Sequence, residues 1–385
     1  MTGAPVPPPL ALLAELTHRC PMRCVYCSNP LALQPASHEL PTATWARVLG
    51  EAAELGVLQV SLSGGEPTVR RDLVDLVACA RGAGLYTNLI TSAVLFDDGD
   101  IARLAAAGLD HVQISLQDTQ VAAGERIGGL KGAHARKLAA AREVRAAGMA
   151  LTINAVIHRG NAARVGELID LALTLGAGRI EIAHVQYHGW ALANRASLLP
   201  SRADCAAVTA AVEAARVALR GRLVIDHVLA DHHARWPKAC LGGWGQRALT
   251  VDPAGRVLPC QAATTIPGLT FAHVGDAPLA EIWERSDAFT RFRGTAWMRE
   301  PCARCDRREL DWGGCRCQAL ALTGDAAATD PVCHKSPHHH LVETIAAAAE
   351  APTAGDALLY RGRSPKREIV QRRGAPIPRS TPGDR

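Results

Sequence analysis

The sequence predicts an α/β fold: a parallel sheet made of six strand–helix repeats, followed by a cysteine-rich extension. Three observations carry this. From about residue 10 to about residue 229, short apolar runs alternate with Ala-rich segments of helical period. The helix-like segments tend to stop at a glycine. After about residue 235 the alternation ends and cysteines crowd together. Consecutive βα repeats imply parallel strands with right-handed crossovers. A closed eight-stranded barrel would need two more repeats than the six seen here.

The first strand is expected at residues 10–16, an apolar run just ahead of Cys20. A helix follows, with Trp45, Val48, Leu49, Ala52 and Leu55 on one face and Gly56 as its stop. The second strand, 57–62, is read from Val57, Leu58, Val60 and Leu62. Further strands are expected at 86–91, 111–116, 151–157 and 180–185, with Gly84, Gly108, Gly148 and Gly176 closing the helices between them. In the extension, two short apolar runs flank Asp252-Pro253-Ala254-Gly255 and read as a hairpin. The expected division is a flexible N-terminus (1–9), the α/β unit (10–234), the cysteine-rich domain (235–345) and a disordered basic tail (346–385).

A chain of 385 residues with 48% hydrophobic content can bury a sizeable core. No apolar run reaches membrane-spanning length. The N-terminus, with Pro5, Pro7, Pro8 and Pro9, does not read as a signal peptide. Of twelve cysteines, ten fall in ligand-like groups, which favours metal sites in a reducing compartment, hence a cytoplasmic protein. Cys79 and Cys205 lie in helical patterns and read as plain buried or partly buried thiols. The net charge of +5 comes from the tail: from Arg361 onward there are eight Lys or Arg and two acids. That segment is rich in Arg, Pro and Gly and reads as a solvated tail, and no nucleic-acid footprint is seen elsewhere.

Cys20, Cys24 and Cys27 form a C-x3-C-x2-C run directly after the first strand. A closed iron–sulfur or structural zinc site takes four protein ligands. Three clustered thiolates leave one iron of a cubane open to a chelating small molecule, unless a fourth ligand from elsewhere closes a zinc site. One βα unit later stands Ser63-Gly64-Gly65-Glu66-Pro67. Alone it would be an ordinary glycine turn. Two glycines let backbone approach a ligand, and Glu66 can accept from an ammonium group.

Together, the cysteine triad with Tyr26 before its last member, the preceding strand and the G-G-E-P run resemble the radical S-adenosylmethionine (SAM) enzymes. The resemblance implies an open partial (β/α)6 barrel. It implies a 4Fe-4S cluster on Cys20, Cys24 and Cys27 with SAM on the open iron. It implies that Gly64, Gly65, Glu66 and Pro67 hold the amino group of the SAM methionine, with Tyr26 beside it. Ser115 and Gln117 at the end of the fourth strand, and Asn154 on the fifth, would meet the ribose and the carboxylate. Parallel α/β sheets place ligands at those strand ends.

The extension resembles the SPASM domain of peptide-modifying members. Gly255-x4-Cys260, Cys302-x2-Cys305, Cys315 and Cys333 match its pattern, with Cys240 ahead of them. Asp311 replaces one cysteine, and Cys317 is additional. The assignment this implies is two auxiliary iron–sulfur clusters, 4Fe-4S or 2Fe-2S. Cys240, Cys260, Cys315 and Cys317 would hold one; Cys302, Cys305, Asp311 and Cys333 would hold the other. Zinc in either cysteine group is the alternative, as is Asp311 as a plain surface carboxylate near the site.

The runs D-W-G-G-C-R-C and H-V-Q-Y-H-G-W-A-L-A-N-R resemble the branch of this family that serves pyrroloquinoline quinone (PQQ) synthesis. That implies a carbon–carbon bond between a glutamate and a tyrosine side chain of one ribosomal precursor peptide. The radical would take hydrogen from the glutamate γ-carbon, and the auxiliary clusters would accept the electron lost when the ring regains aromaticity. A small peptide chaperone and a flavodoxin- or ferredoxin-type reductant are implied as partners. Tyr187, His188, Asn194 and Arg195 follow the sixth strand, where a peptide could lie or where a loop needs structural groups. No residue is singled out as the base. Two alternatives remain open: a SPASM enzyme forming a thioether or formylglycine, and a non-catalytic iron–sulfur or zinc protein.

Overall fold

The computed structural model describes residues 6–186, 189–350 and 358–361. One nine-stranded sheet runs in the order β7-β6-β5-β4-β3-β2-β1-β8-β9. Its strands are β1 (Ala11–Thr17), β2 (Gln59–Gly64), β3 (Tyr86–Thr91), β4 (His111–Ser115), β5 (Ala150–Ile157), β6 (Arg179–His184), β7 (Val224–Val228), β8 (Ala248–Val251) and β9 (Val257–Leu258). Neighbours from β7 to β8 pair in parallel, and only β9 is antiparallel. The sheet is an open partial barrel: its edges, β7 and β9, do not pair.

Strand geometry separates two faces. The outward face carries Val60, Leu62, Leu89, Val112, Ile114, Leu151, Ile153, Ile180 and Ile182, all buried. Helices cover it, through Trp45, Val48 and Leu49 of Thr42–Glu54, Leu76 and Val77 of Leu73–Gly82, and Leu168 of Val165–Thr174. Each large apolar side chain buried this way contributes about 1.5–3 kcal/mol. The inward face mixes polar residues with a few apolar ones, such as Leu13 and Ile90. Ser61, Asn88, Gln113, Thr152, Glu181 and Asp226 line internal cavities. The core therefore lies between sheet and helices, and the barrel interior is left for ligands.

The six expected strands form, within about two residues of their expected bounds. Two features differ. A seventh strand, Val224–Val228, is not among the expected ones, because Asp226 and His227 break its apolar pattern. The hairpin around Asp252–Gly255 forms, but its first strand also pairs with β1: Ala11 faces Ala248 and Ala14 faces Val251. The extension thus completes the barrel sheet as well as carrying cysteines.

The chain ends also differ from expectation. The tail expected from residue 346 begins inside the helix His339–Glu350, which buries Val342, Ile345, Ala346 and Ala349. Leu358 to Arg361 pack against the body, and Arg361 is 5% exposed. At the other end, Val6 packs on the core and the Pro7 carbonyl accepts from Trp283 Nε1 at 3.1 Å, so residues 6–9 are not free. The rest of the expected tail and residues 1–5 lie outside the described residues. No helix among the described residues is long and apolar enough to cross a membrane.

Candidate active site

Cys20, Cys24 and Cys27 sit on the loop that leaves β1, at the carboxyl end of the sheet. All three line one cavity. Tyr26, Gly64, Gly65, Ser115, Gln117 and Asn154 line it too, so the structure brings these sequence-derived candidates together. Ser63, Thr91, Ser92 and Arg361 complete the wall.

The two glycines are explained by backbone packing. A Cβ on Gly64 would stand 2.2 Å from the Thr17 carbonyl oxygen, and one on Gly65 would stand 2.3 Å from that of Arg19. Gly65 N–H donates to Thr17 O at 2.6 Å and Glu66 N–H to Arg19 O at 2.8 Å. The end of β2 is thereby fastened to the cysteine loop. A side chain at either position would push the loop away.

Glu66 and Pro67 stand behind this wall. The Glu66 carboxylate is fully buried and accepts from five protein donors: Thr68 N and Oγ1, Thr91 Oγ1, and Ser92 N and Oγ. Its lone pairs are taken, and they fix the turn and the Thr91–Ser92 segment that do face the cavity. Pro67 opens the short helix Pro67–Val69, capped by Glu66.

The chemistry of the thiols fits a cluster. Burial pushes Cys20 up to about 12 and Cys27 up to about 11, and raises Cys24, which makes bare thiolates unfavourable. Positive iron would offset that penalty. Arg361 already opposes it at all three cysteines. Its guanidinium donates to the carbonyls of His18 (3.2 Å), Cys20 (3.0 Å) and Met22 (2.8 Å). A second cation, Lys137, lies nearby and is 2% exposed. It donates to Ser115 O at 2.7 Å and Gln117 Oε1 at 2.8 Å, and burial lowers its pKa to about 8. Neither cation was found from sequence. Arg361 lies in a segment with tail-like composition, and Lys137 in an Ala-rich helical pattern.

The remaining candidate ligands form two groups in the extension. Cys240, Cys260, Cys315 and Cys317 come together, with Cys260 Sγ 3.9 Å from Cys317 Sγ. Hydrogen bonds from Cys240 and Cys317 pull the Cys260 thiol below its ordinary value, and the other three are pushed up. Such a set of four enclosed sulfurs suits a thiolate-bound metal. Two buried groups missed from sequence fix it. Asp330 accepts from Cys315 N at 2.7 Å and Gln318 Nε2 at 3.0 Å, and burial raises its pKa to about 6. Arg316, 1% exposed, donates to Gly313, Ala326 and Ala328 carbonyls, and its charge acts on both Cys315 and Cys302.

Cys302, Cys305, Asp311 and Cys333 lie within electrostatic reach of one another. Burial raises the Asp311 carboxyl. Its Oδ1 accepts from Gly313 N at 3.1 Å, and its Oδ2 is 3.6 Å from Arg307 Nε. Cys305 is approached by Lys335 Nζ at 3.5 Å. Asn194 holds Val25 O at 2.8 Å and Leu359 O at 2.9 Å, so it is a structural clamp of the cysteine loop. Tyr187 and His188 lie outside the described residues.

A second cavity spans the inside of the sheet. It is lined by Leu13, Ser61, Ile90, Glu181, Gln186, Asp231 and Lys238, and it reaches Cys240, Cys260, Cys315 and Cys317. Ile90 lines both cavities.

Comparison with known proteins gives the same picture. The radical SAM superfamily model matches residues 14–172, and the SPASM iron-sulfur cluster-binding domain model matches residues 240–306. The PqqA peptide cyclase of Methylobacterium nodulans is 57% identical over 370 residues, which cover 96% of this chain and 98% of that protein. The PqqA peptide cyclase of Gluconobacter oxydans is 60% identical over 336 residues, covering 87% of this chain and 93% of that protein. Among solved structures, Streptococcus suis SuiB bound to S-adenosylmethionine superposes with a TM-score of 0.71 at 20% identity, covering 85% of this chain and 78% of SuiB. SuiB bound to its precursor peptide SuiA gives 0.70 at 20% identity, covering 85% of this chain and 76% of that one. At that identity the likeness concerns the fold.

Proposed function

Because the chain belongs to the PqqA peptide cyclase family of radical SAM enzymes, we propose that it joins a glutamate and a tyrosine side chain of the PqqA precursor peptide by a carbon–carbon bond, a step of PQQ biosynthesis. It is an enzyme that uses SAM and iron–sulfur clusters. The observation that carries the reading is the shared wall at Ile90. The cavity of Cys20, Cys24 and Cys27 adjoins a larger one that ends at the first auxiliary cysteine group. A peptide side chain in the larger cavity would meet the radical source on one side and an electron acceptor on the other.

When bound, the cluster and SAM would supply a 5′-deoxyadenosyl radical for hydrogen abstraction at the glutamate γ-carbon. The chain's own residues hold and shield. Cys20, Cys24 and Cys27 ligate the 4Fe-4S cluster. Backbone of Gly64 and Gly65, with Ser115, Gln117 and Asn154, holds SAM, and the buried Glu66 carboxylate keeps that wall in place. Cys240, Cys260, Cys315 and Cys317 ligate one auxiliary cluster, of 4Fe-4S or 2Fe-2S type. Cys302, Cys305, Asp311 and Cys333 ligate the other. The cross-link removes two hydrogens from the peptide, one as an atom and one as a proton with an electron. A small chaperone presenting the peptide and a flavodoxin- or ferredoxin-type reductant complete the system in the cytoplasm.

The test is isotopic. A precursor peptide deuterated at the glutamate γ-carbon, incubated with SAM and reductant, should pass deuterium into 5′-deoxyadenosine. Deuterium-free 5′-deoxyadenosine alongside cross-linked product would overturn the proposed position of abstraction. Cleavage of SAM without any change in the peptide would overturn the function.

A further inference from the structure

At the edge of the sheet formed by β6 and β7 lies a cluster of histidines around Cys205, none of which belongs to the three cysteine groups described above. His184 ends β6 and His227 lies on β7; their Nε2 atoms are 3.5 Å apart. The other ring nitrogen of His184, Nδ1, is 3.9 Å from Cys205 Sγ. Cys205 stands near the start of the helix Arg202–Ala218. His232 and His233, from the short turn Asp231–His233, have their rings 4.1 Å apart. One ligand atom each from Cys205, His232 and His233 lies within 4.8 Å of the others.

These groups are enclosed: His184 is 3% exposed, His232 5% and Cys205 6%. His232 Nε2 meets the Pro200 carbonyl at 3.1 Å, which orients Nδ1 as the lone-pair nitrogen. Neither ring nitrogen of His233 makes a well-formed hydrogen bond, although the Ser201 backbone is close enough to act on the ring. Enclosed polar atoms without partners are unfavourable. Burial keeps the imidazoles neutral, lowering His184 to about 3 and His233 to about 4, so each offers a lone pair at neutral pH. A buried imidazole ordinarily finds well-formed hydrogen bonds for its nitrogens, and His233 does not. Four histidines and a thiol turned toward one another form a donor set.

We propose that Cys205, His184, His232 and His233 bind one zinc ion. One sulfur and three imidazole nitrogens suit tetrahedral zinc. Zn–S of about 2.3 Å and Zn–N of about 2.0–2.1 Å put sulfur and nitrogen about 3.5 Å apart. The Cys205–His184 contact is already close to this; His184 lies outside the 4.8 Å group of Cys205, His232 and His233, and zinc binding would draw it in through Cys205. His227 then serves as the outer partner of His184 Nε2, as ligating histidines commonly have. The ion would tie β6, the helix Arg202–Ala218 and the segment leading to Cys240 into one unit. It thus sets how the sheet passes into the cluster-bearing extension.

The test uses the full-length protein with its iron–sulfur clusters reconstituted, and zinc chloride as the probe. After zinc loading and buffer exchange, the wild type should keep one zinc per chain more than a Cys205→Ala/His233→Ala variant, with iron and sulfide unchanged in both. Equal zinc in both, or none in the wild type, overturns the proposal. Zinc-edge X-ray absorption on the wild type needs no variant. It should show one sulfur at about 2.3 Å and three nitrogens at about 2.0 Å. An all-sulfur shell, from zinc in the cluster cysteines, or an oxygen-rich shell overturns it.

Discussion

The guanidinium of Arg361 donates to the carbonyl oxygen of Cys20 at 3.0 Å, fastening a residue near the C-terminus to the first cysteine of the C-x3-C-x2-C loop. Together with its bonds to His18 O and Met22 O, it holds the same loop that Gly64 and Gly65 pack against. Hydrogen bonds to a charged group contribute about 1.5–3 kcal/mol each. Arg361→Ala should therefore loosen the loop. The expected result is at least a tenfold faster loss of the SAM cluster to a chelator, with auxiliary iron unaffected. Loss of the positive charge should also make that cluster harder to reduce. Unchanged chelation kinetics and potential would contradict this role.

Replacing Cys20, Cys24 and Cys27 by Ala removes the only thiols in that cavity among the described residues. Reductive SAM cleavage should fall to background while iron bound by the extension remains, because the two auxiliary groups draw on other residues. Residual 5′-deoxyadenosine from the triple variant would show that the assignment is wrong.

Asp311 is gathered with Cys302, Cys305 and Cys333, yet its oxygens also face Gly313 N and Arg307. As a ligand it would be harder and more easily exchanged than thiolate, and would tune the cluster potential. Asp311→Ala should lose or open that cluster and stop cross-linking. Asp311→Cys should restore the cluster with a shifted potential. Electron paramagnetic resonance of the reduced Asp311→Ala protein decides: an unchanged auxiliary signal removes Asp311 from the ligand set.

His158 gives a pH dependence. It is 2% exposed, its ring centroid is 6.0 Å from that of Tyr26, and burial lowers its pKa to about 4. The unfolded chain takes up this proton near pH 6.5. Between about pH 4 and 6.5 the unfolded state therefore binds more protons, so stability rises with pH and is lost on acidification. From pH 7 to 5 the loss from this group is on the order of 2 kcal/mol. His158→Gln should show a smaller fall in urea-unfolding stability over that interval. Equal falls in both proteins would contradict the buried neutral histidine.

Much of this architecture is legible in the sequence, because its signals are local. A strand, a C-x3-C-x2-C run and a G-G-E-P turn are each contiguous, and hydrophobic period marks six of the seven core strands. The seventh is hidden by Asp226, which faces the polar interior, and by His227. Ser115, Gln117 and Asn154 were found because strand-end position predicts exposure to the cavity. Lys137, Arg316, Asp330 and Arg361 were not, since their roles arise only where distant segments meet. Glu66 shows the opposite limit. The motif marks the right turn, but only the fold reveals that five protein donors occupy its carboxylate. Cys205 is another such case, a lone thiol in sequence that stands among histidines from three elements.

The most direct test of the central claim is fragmentation mass spectrometry of the precursor peptide after incubation with the reconstituted enzyme, SAM, reductant and chaperone. The account predicts a product lighter by two hydrogens, with no backbone fragments separating the joined glutamate and tyrosine and no reversal by thiol reagents. A peptide of unchanged mass, or a cross-link opened by reduction or mapped to other side chains, would contradict it.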